Sequence, residues 1–514
     1  SIPTHVEGSF ATQFESVTPG GSATLGFTVP VGENLAIVAR GGGRHADDLR
    51  MGGGEQLGNS FYHNYYGLGG VGFNTGRANG GIIYRYYHQN YGLPSDDGEV
   101  ARIDGARKEI EGRSDFTFSK APLTSLRVSG TAQWYGHDEI DQETNAVNTS
   151  FNLKTQTVDL LGRTRAGAVT GAVGLSGLFK QYASTGDEAL TPSANSNGFG
   201  AFVYEEVPLR TAHGNADALV PKLQLGGRYD VYRIASLTGD PKFGDGRSVD
   251  FNTFSGSLGV SVPVNSAITV SGSVARAFRA PTVEELFSNG FHAAAGTFDV
   301  GNPNLQAEVN QGGEVVVRAQ THRVNGQFAV YRNTIENFIT PNIVKDTTVD
   351  AEGDNLSVPL NRVAQANALM YGAEGRVEVE VFPRFVLGGL GDVVRGEFSD
   401  TKSPLPFIPP ARLGALARWD DGIRSFNAEF RHAFSQDRVP MAVSESDPAG
   451  VATGAYDLLN LSFGYVFNLR GQASSLTLRA DNVLDEKYRD ATSRIKGFAF
   501  NPGRNIALVY KTSF

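Results

Sequence analysis

Metal ligation is the first chemistry that the side chains suggest. Nine histidines are spread along 514 residues. Two polar stretches combine several of them with carboxylates. His45, Asp47, Asp48, Glu55 and His63 lie within residues 41–66. His137, Asp138, Glu139, Asp141 and Glu143 lie within residues 136–152. Imidazole and carboxylate are both zinc donors, usually four to an ion. The chain has no cysteine, which excludes thiolate sites, disulfides and a cysteine nucleophile. A zinc site must therefore be built from His, Asp and Glu alone. The competing reading is a pair of acidic surface segments that stay solvated.

No enzyme signature accompanies these residues. Gly52-Gly53-Gly54 is not followed by a helical pattern, so it makes no phosphate cradle. There is neither a G-x-S-x-G elbow nor an H-E-x-x-H pair. A net charge of −9 argues against a nucleic-acid partner. The chain reads as a non-enzyme with no cofactor of its own, and any Zn²⁺ would be cargo.

The elements that must position these side chains follow from period-two alternation. In Leu126-Arg127-Val128-Ser129-Gly130-Thr131-Ala132-Gln133-Trp134, apolar or glycine positions alternate with polar ones. The same holds for Ile268–Val274, Gly375–Val381 and Leu476–Asp481. Such strands have one apolar and one polar face. A soluble sandwich would bury the apolar faces, whereas a membrane barrel turns them to lipid and the polar faces to a wet lumen. The pattern runs the whole length without a linker, and a soluble sheet so large would split. Glycine is 63 of 514 residues, above the usual ~7%. No run approaches the ~20 apolar residues of a spanning helix.

Connections alternate in length. Ten short links fall near 30–34, 77–81, 120–124, 164–168, 211–217, 263–266, 322–326, 382–384, 420–423 and 469–474. Ten longer polar stretches lie between them, and Thr18-Pro19-Gly20-Gly21 adds a tight eleventh on the same side. These links join 22 strands. Short turns on one rim and long loops on the other predict an all-β transmembrane antiparallel barrel spanning residues 1–514. The turns are expected to be periplasmic and the loops extracellular, with outer-membrane lipid around the wall. Polar residues such as Arg376, Glu378, Glu380, Arg479 and Asp481 should face the lumen. The opening Ser1-Ile2-Pro3, without Met or an apolar signal, reads as mature or trimmed material.

Several segments resemble one family, the TonB-dependent outer-membrane transporters. Ala275–Phe287, with Arg276-Ala277-Phe278-Arg279-Ala280-Pro281, is similar to the family's mid-barrel motif. Gly301-Asn302-Pro303-Asn304-Leu305 follows it, and Asp481-Asn482-Val483-Leu484-Asp485-Glu486-Lys487-Tyr488 and Pro502-Gly503-Arg504 resemble the family's late boxes. The alternating last strand ends on Phe514, resembling the signal read by the barrel assembly machinery. The resemblance implies the outer membrane of a Gram-negative-type bacterium. It also implies coupling to TonB through an N-terminal plug. Here Ile2-Pro3-Thr4 resembles the join between plug and barrel, so the plug is expected to be absent from this chain.

Tyr91-Gly92-Leu93-Pro94, Gly186–Pro192 and Ser288-Asn289-Gly290-Phe291-His292 look like the branch that includes zinc importers. The resemblance therefore implies Glu188 and His292 as metal ligands on long loops of one side. His45, Asp47, His63, His137 and Asp138 are secondary candidates. The implied function is import of a scarce nutrient, a zinc ion or a metal chelate. The alternatives are a passive pore without a plug and a structural platform for partner proteins.

Overall fold

The structure is a computed structural model that describes residues 2–95, 100–119, 122–186, 189–209, 219–237, 241–292, 297–350, 357–442 and 447–514. Side chains at 343–350 and 357–358 lie outside the description. Glu188 also lies outside it, as does the link expected at 211–217.

The main sheet has 24 strands, two of which form a loop hairpin, Asn289–His292 with Thr297–Val300, leaving 22 in the wall. All neighbours in the wall are antiparallel. The first wall strand, Glu7–Glu15, pairs with the last, Asn505–Ser513, from Ser9↔Ser513 to Glu15↔Ala507. That pairing closes the barrel and removes both sheet edges. Phe514 completes the seam, since its N–H donates to the Gly8 carbonyl at 2.9 Å. Its ring occupies the space beside Gly8, 2.1 Å from where a Cβ would stand, so a larger residue there would displace the ring. The ring then meets Phe27 edge-on at 5.9 Å.

The rim that holds the start of Glu7–Glu15 and the end of Asn505–Ser513 carries the short turns. Arg470 and Gly471 (φ 54° and 87°) make a two-residue turn between Leu469 and Gln472. Two successive positive φ angles match the twist of the flanking strands. The opposite rim carries the long loops.

Alternation divides the wall as the sequence predicts. Leu25, Phe27, Val29 and Val31 are exposed on one face, as are Val377 and Val381. The other face carries ion-pair ladders. Arg376 pairs with Glu378, which also accepts from Arg418 at 3.0 Å. Arg85 reaches Glu109 and Glu111 at 2.5 Å each, and Arg479 pairs with Asp481 at 2.9 Å. Lipid cannot solvate such charges, so this face lines the lumen and the apolar face meets the membrane.

Wall strands run from 9 to 27 residues, whereas crossing needs only ~9–11. Many therefore continue above the membrane. The connection expected at 136–152 shrinks to residues 142–146, because Leu123–Asp141 and Val147–Ala166 extend the hairpin. Polar residues dominate both faces there, with Ile140, Val147 and Phe151 the apolar exceptions in the two strands, so the sequence shows no regular alternation.

The mid-barrel segment forms a short helix, Val283–Phe287, with Thr282 and Glu285 as a reciprocal capping box. Leu286 and Leu305 are buried with Ile234, Phe251 and Ile339. Arg279 ties this helix to the wall, reaching Glu285 at 2.9 Å and Glu308 at 2.7 Å. No helix among the described residues is long and apolar enough to cross a membrane.

The two faces predict opposite mutational responses at adjacent residues. Val377→Arg should destabilise the barrel by ~2–4 kcal/mol, the cost of an arginine at mid-membrane depth. Arg376→Gln, on the luminal face, should cost under ~1 kcal/mol, the scale of a solvated ion pair. Urea titration of the barrel refolded into vesicles measures both.

Candidate functional site

The long-loop half of the lumen holds a dense aromatic wall on neighbouring strands. Cross-strand register sets Tyr66 opposite Tyr87, Tyr62 opposite Tyr91, and Tyr87 opposite Arg107. Arg107 in turn faces Tyr135, and His137 faces Phe151. All lie on the luminal face, on the same row parity as Arg85 and Glu109.

The side chains interlock. The Tyr62 and Tyr87 hydroxyls are hydrogen-bonded to each other, and the Asn64 amide donates to them at 3.1 and 3.3 Å. Tyr66 reaches across Gly42 to the Thr24 hydroxyl at 2.7 Å. An added Cβ at Gly42 would stand 3.0 Å from the Tyr66 oxygen, so glycine clears that path. The Tyr62 and Tyr91 rings lie 6.1 Å apart. Arg44 sits 5.9 Å over Tyr62 and Arg107 5.8 Å over Tyr87. His137 stacks on Phe151 at 4.5 Å, and Phe151 leads to Tyr182, whose hydroxyl meets Thr191 at 2.8 Å. Among the described residues, His137 Nδ1 is buried without a hydrogen-bond partner.

Such a wall combines flat π faces, phenol donors and two guanidinium groups. It suits a planar or aromatic ligand of negative charge. The sequence held a signal for it. Residues 84–91 read Tyr-Arg-Tyr-Tyr-His-Gln-Asn-Tyr, and alternation alone sends Tyr87 and Tyr91 to the luminal face.

The histidine–carboxylate candidates are placed differently. His137 and Asp138 are adjacent in one strand, so they point to opposite faces. Asp138 points outward and accepts from Ser150 at 2.5 Å. His45 and His63 are cross-strand partners on the outward face, with rings stacked at 4.2 Å. Asp47 lies 3.2 Å from His45 Nε2. Among the described residues, no group of three or more His, Asp and Glu side chains is placed to hold a metal ion.

His292 lies in the loop hairpin, with Nδ1 2.9 Å from Asp299 Oδ2. Thr297 and Asn361 also donate to Asp299, at 2.7 and 3.0 Å. Burial by itself would raise the Asp299 pKa. The three hydrogen bonds outweigh it and hold the carboxyl below its ordinary value.

The family described as TonB dependent receptor-like, beta-barrel matches residues 14–483. The heme/hemopexin utilization protein C of Haemophilus influenzae is 26% identical over 346 residues, covering 62% of this chain and 44% of that protein. The ferric enterobactin receptor PirA of Pseudomonas aeruginosa is 25% identical over 282 residues, covering 51% of this chain and 37% of that protein. The chain thus spans less than half the length of these relatives. Among solved structures, the copper transporter OprC superposes with a TM-score of 0.82 at 14% identity, over 99% of this chain and 80% of that one. The FrpB iron transporter from Neisseria meningitidis (F3-3 variant) gives 0.77 at 10% identity, over 100% and 82%. At such identities the likeness is one of fold.

The Asp299 hydrogen bonds predict a pH window for the loop hairpin. Its folded pKa is depressed, so its stabilisation is fully present above the ordinary Asp range and is lost as pH falls through the folded pKa. Limited proteolysis of whole cells should leave the hairpin protected from pH 7 to about 4, the unperturbed Asp region, and cleave it below. In Asp299→Asn the protection should already be reduced at pH 7 and should be flat with pH across that window.

Proposed function

The chain belongs to the TonB dependent receptor-like β-barrel family, and from that premise we propose that it is the barrel of an outer-membrane importer for an anionic, aromatic metal chelate. Its place is the outer membrane of a Gram-negative-type bacterium. The observation that carries the cargo assignment is the luminal wall of Tyr62, Tyr66, Tyr87, Tyr91 and Tyr135 with Arg44 and Arg107. Chelate rings stack on the tyrosines, and Arg107 meets the ligand's charge, while Arg44, already paired with Glu15, borders the site. The long-loop rim admits the chelate from outside, and TonB coupling drives passage. The names of two relatives, one for heme/hemopexin and one for ferric enterobactin, agree with a chelate.

Free Zn²⁺ is the second reading. It is supported by His292 beside Asp299 and by the likeness of segments 186–192 and 288–292 to the zinc-importer branch. Glu188 is the other ligand in that reading. A passive pore is the third, since a barrel this wide conducts unless something fills it.

Uptake by cells producing the full-length protein separates the three. Tyr62→Ala with Tyr87→Ala should weaken chelate-dependent growth about tenfold or more, from ~1–3 kcal/mol lost over two stacked rings. Zinc-limited growth should be unchanged, with equal heat-modifiable barrel in the membrane. Loss of zinc-limited growth in Glu188→Ala/His292→Ala, with chelate use intact, would select the zinc reading. Uptake that persists without TonB would select the pore.

A further inference from the structure

The outward face of the wall carries a feature that import does not use. One register row runs across six strands as Leu258↔Val274↔Gly313↔Arg332↔Tyr371↔Arg395. Leu258, Val274 and Tyr371 are exposed on it, as are Arg332 and Arg395. The row one step closer to the loops places Arg276 opposite Gln311. Three guanidinium groups therefore stand on the membrane-facing side.

Their surroundings leave them largely unpaired. Arg332 and Arg395 make no ion pair or side-chain hydrogen bond among the described residues, and Arg276 donates only to the Phe254 carbonyl. The nearby carboxylates are engaged elsewhere. Glu336 accepts from Gln311, and Glu397 pairs with Arg438 and Lys402. An arginine facing lipid costs ~2–4 kcal/mol at the midplane and ~0–1 near the interface. Arg276 is near the loop-side end of Ile268–Arg279, and Arg395 near that of Phe385–Phe398. Counted from the short-turn rim, Arg276 and Arg332 are each the ninth residue of their strands and Arg395 the eleventh, where a crossing of ~9–11 residues ends.

An apolar furrow of about 630 Å³ opens beside Arg332. Leu258, Val260, Val274, Val315 and Val330 form its walls, and Arg332 stands at one end. Gly272 and Gly313 form its floor, where larger side chains would fill it. Neighbouring strands are ~4.8 Å apart, so the row from Arg332 to Arg395 spans a head group's width.

We propose that this face is a binding site for an outer-leaflet lipid that bears two phosphates, with an acyl chain in the furrow, one phosphate between Arg332 and Arg395 and the other at Arg276. The Tyr371 phenol, opposite both Arg332 and Arg395, adds a donor. Guanidinium groups pair with phosphate through paired N–H donors, and losing several such contacts weakens binding by about tenfold or more.

The test uses the full-length protein extracted from outer membranes in mild detergent, with lipid A bearing both phosphates as the probe. Native mass spectrometry reads the retained lipid. Arg276→Ser/Arg332→Ser/Arg395→Ser should cut retention about tenfold or more. It should leave retention of phosphatase-treated lipid A unchanged. Gly313→Leu should weaken both lipids by filling the furrow. An added Cβ there meets Ser273 O at 3.5 Å and Val274 Cγ1 at 3.6 Å, ordinary contacts that leave the wall intact. Heat-modifiable mobility checks that each variant folds. Equal retention by the triple variant overturns the proposal, and so does a parent protein that holds dephosphorylated lipid A as tightly as the native form. If the triple variant fails to fold, Arg332→Ser alone and the comparison of the two lipids on the parent decide the question.

Discussion

The backbone of a strand inside a membrane has no water to satisfy its N–H and C=O groups, and every other feature depends on how that demand is met. Closure of Glu7–Glu15 onto Asn505–Ser513 meets it, because no edge remains. The last residue takes part, with Phe514 bonded to Gly8 and packed over the space that glycine leaves. Closure in turn fixes an inside and an outside. Once the sheet is a cylinder, alternation along each strand assigns every side chain to lipid or lumen.

Both candidate binding surfaces follow from that assignment. Inside, the loop-side extension brings Tyr62, Tyr87 and Tyr91 into one wall with Arg44 and Arg107. Outside, the same row logic sets Arg332, Tyr371 and Arg395 side by side above apolar neighbours. The luminal ladders, such as Arg85 with Glu109 and Glu111, keep the interior wet and charged below the aromatic wall. The short helix Val283–Phe287 belongs to the loop side as well, anchored by Leu286 below and by Arg279 between Glu285 and Glu308.

The barrel was legible in the sequence because lipid imposes a strict period of two on it. Val377 and Arg376 read correctly as outward and luminal for that reason. Above the membrane the constraint lapses. Residues 136–141 alternate between two polar faces, so they read as loop although they are strand. The same lapse explains the metal candidates. His137 and Asp138 are neighbours in sequence, and the strand separates them by sending one inward and one outward. His292 reads as a ligand from its segment alone, but its carboxylate partner in the structure is Asp299, which strand pairing brings to it. The tyrosine wall went unread because aromatics in alternating strands also mark membrane interfaces. Alternation turns Tyr87 and Tyr91 inward, but only the register across strands brings Tyr62, Tyr66 and Tyr135 beside them.

Cargo binding by the luminal tyrosines is the proposal on which the import reading stands. Cryo-electron microscopy of the full-length protein with a ferric catecholate tests it directly, because iron and its rings are visible in density. The expected density is a chelate whose rings stand about 4.5–7 Å from the ring centroids of Tyr62, Tyr87 or Tyr91, with Arg107 on its charged edge. A chelate seated away from these residues, or a lumen that stays empty at saturating ligand, would contradict it.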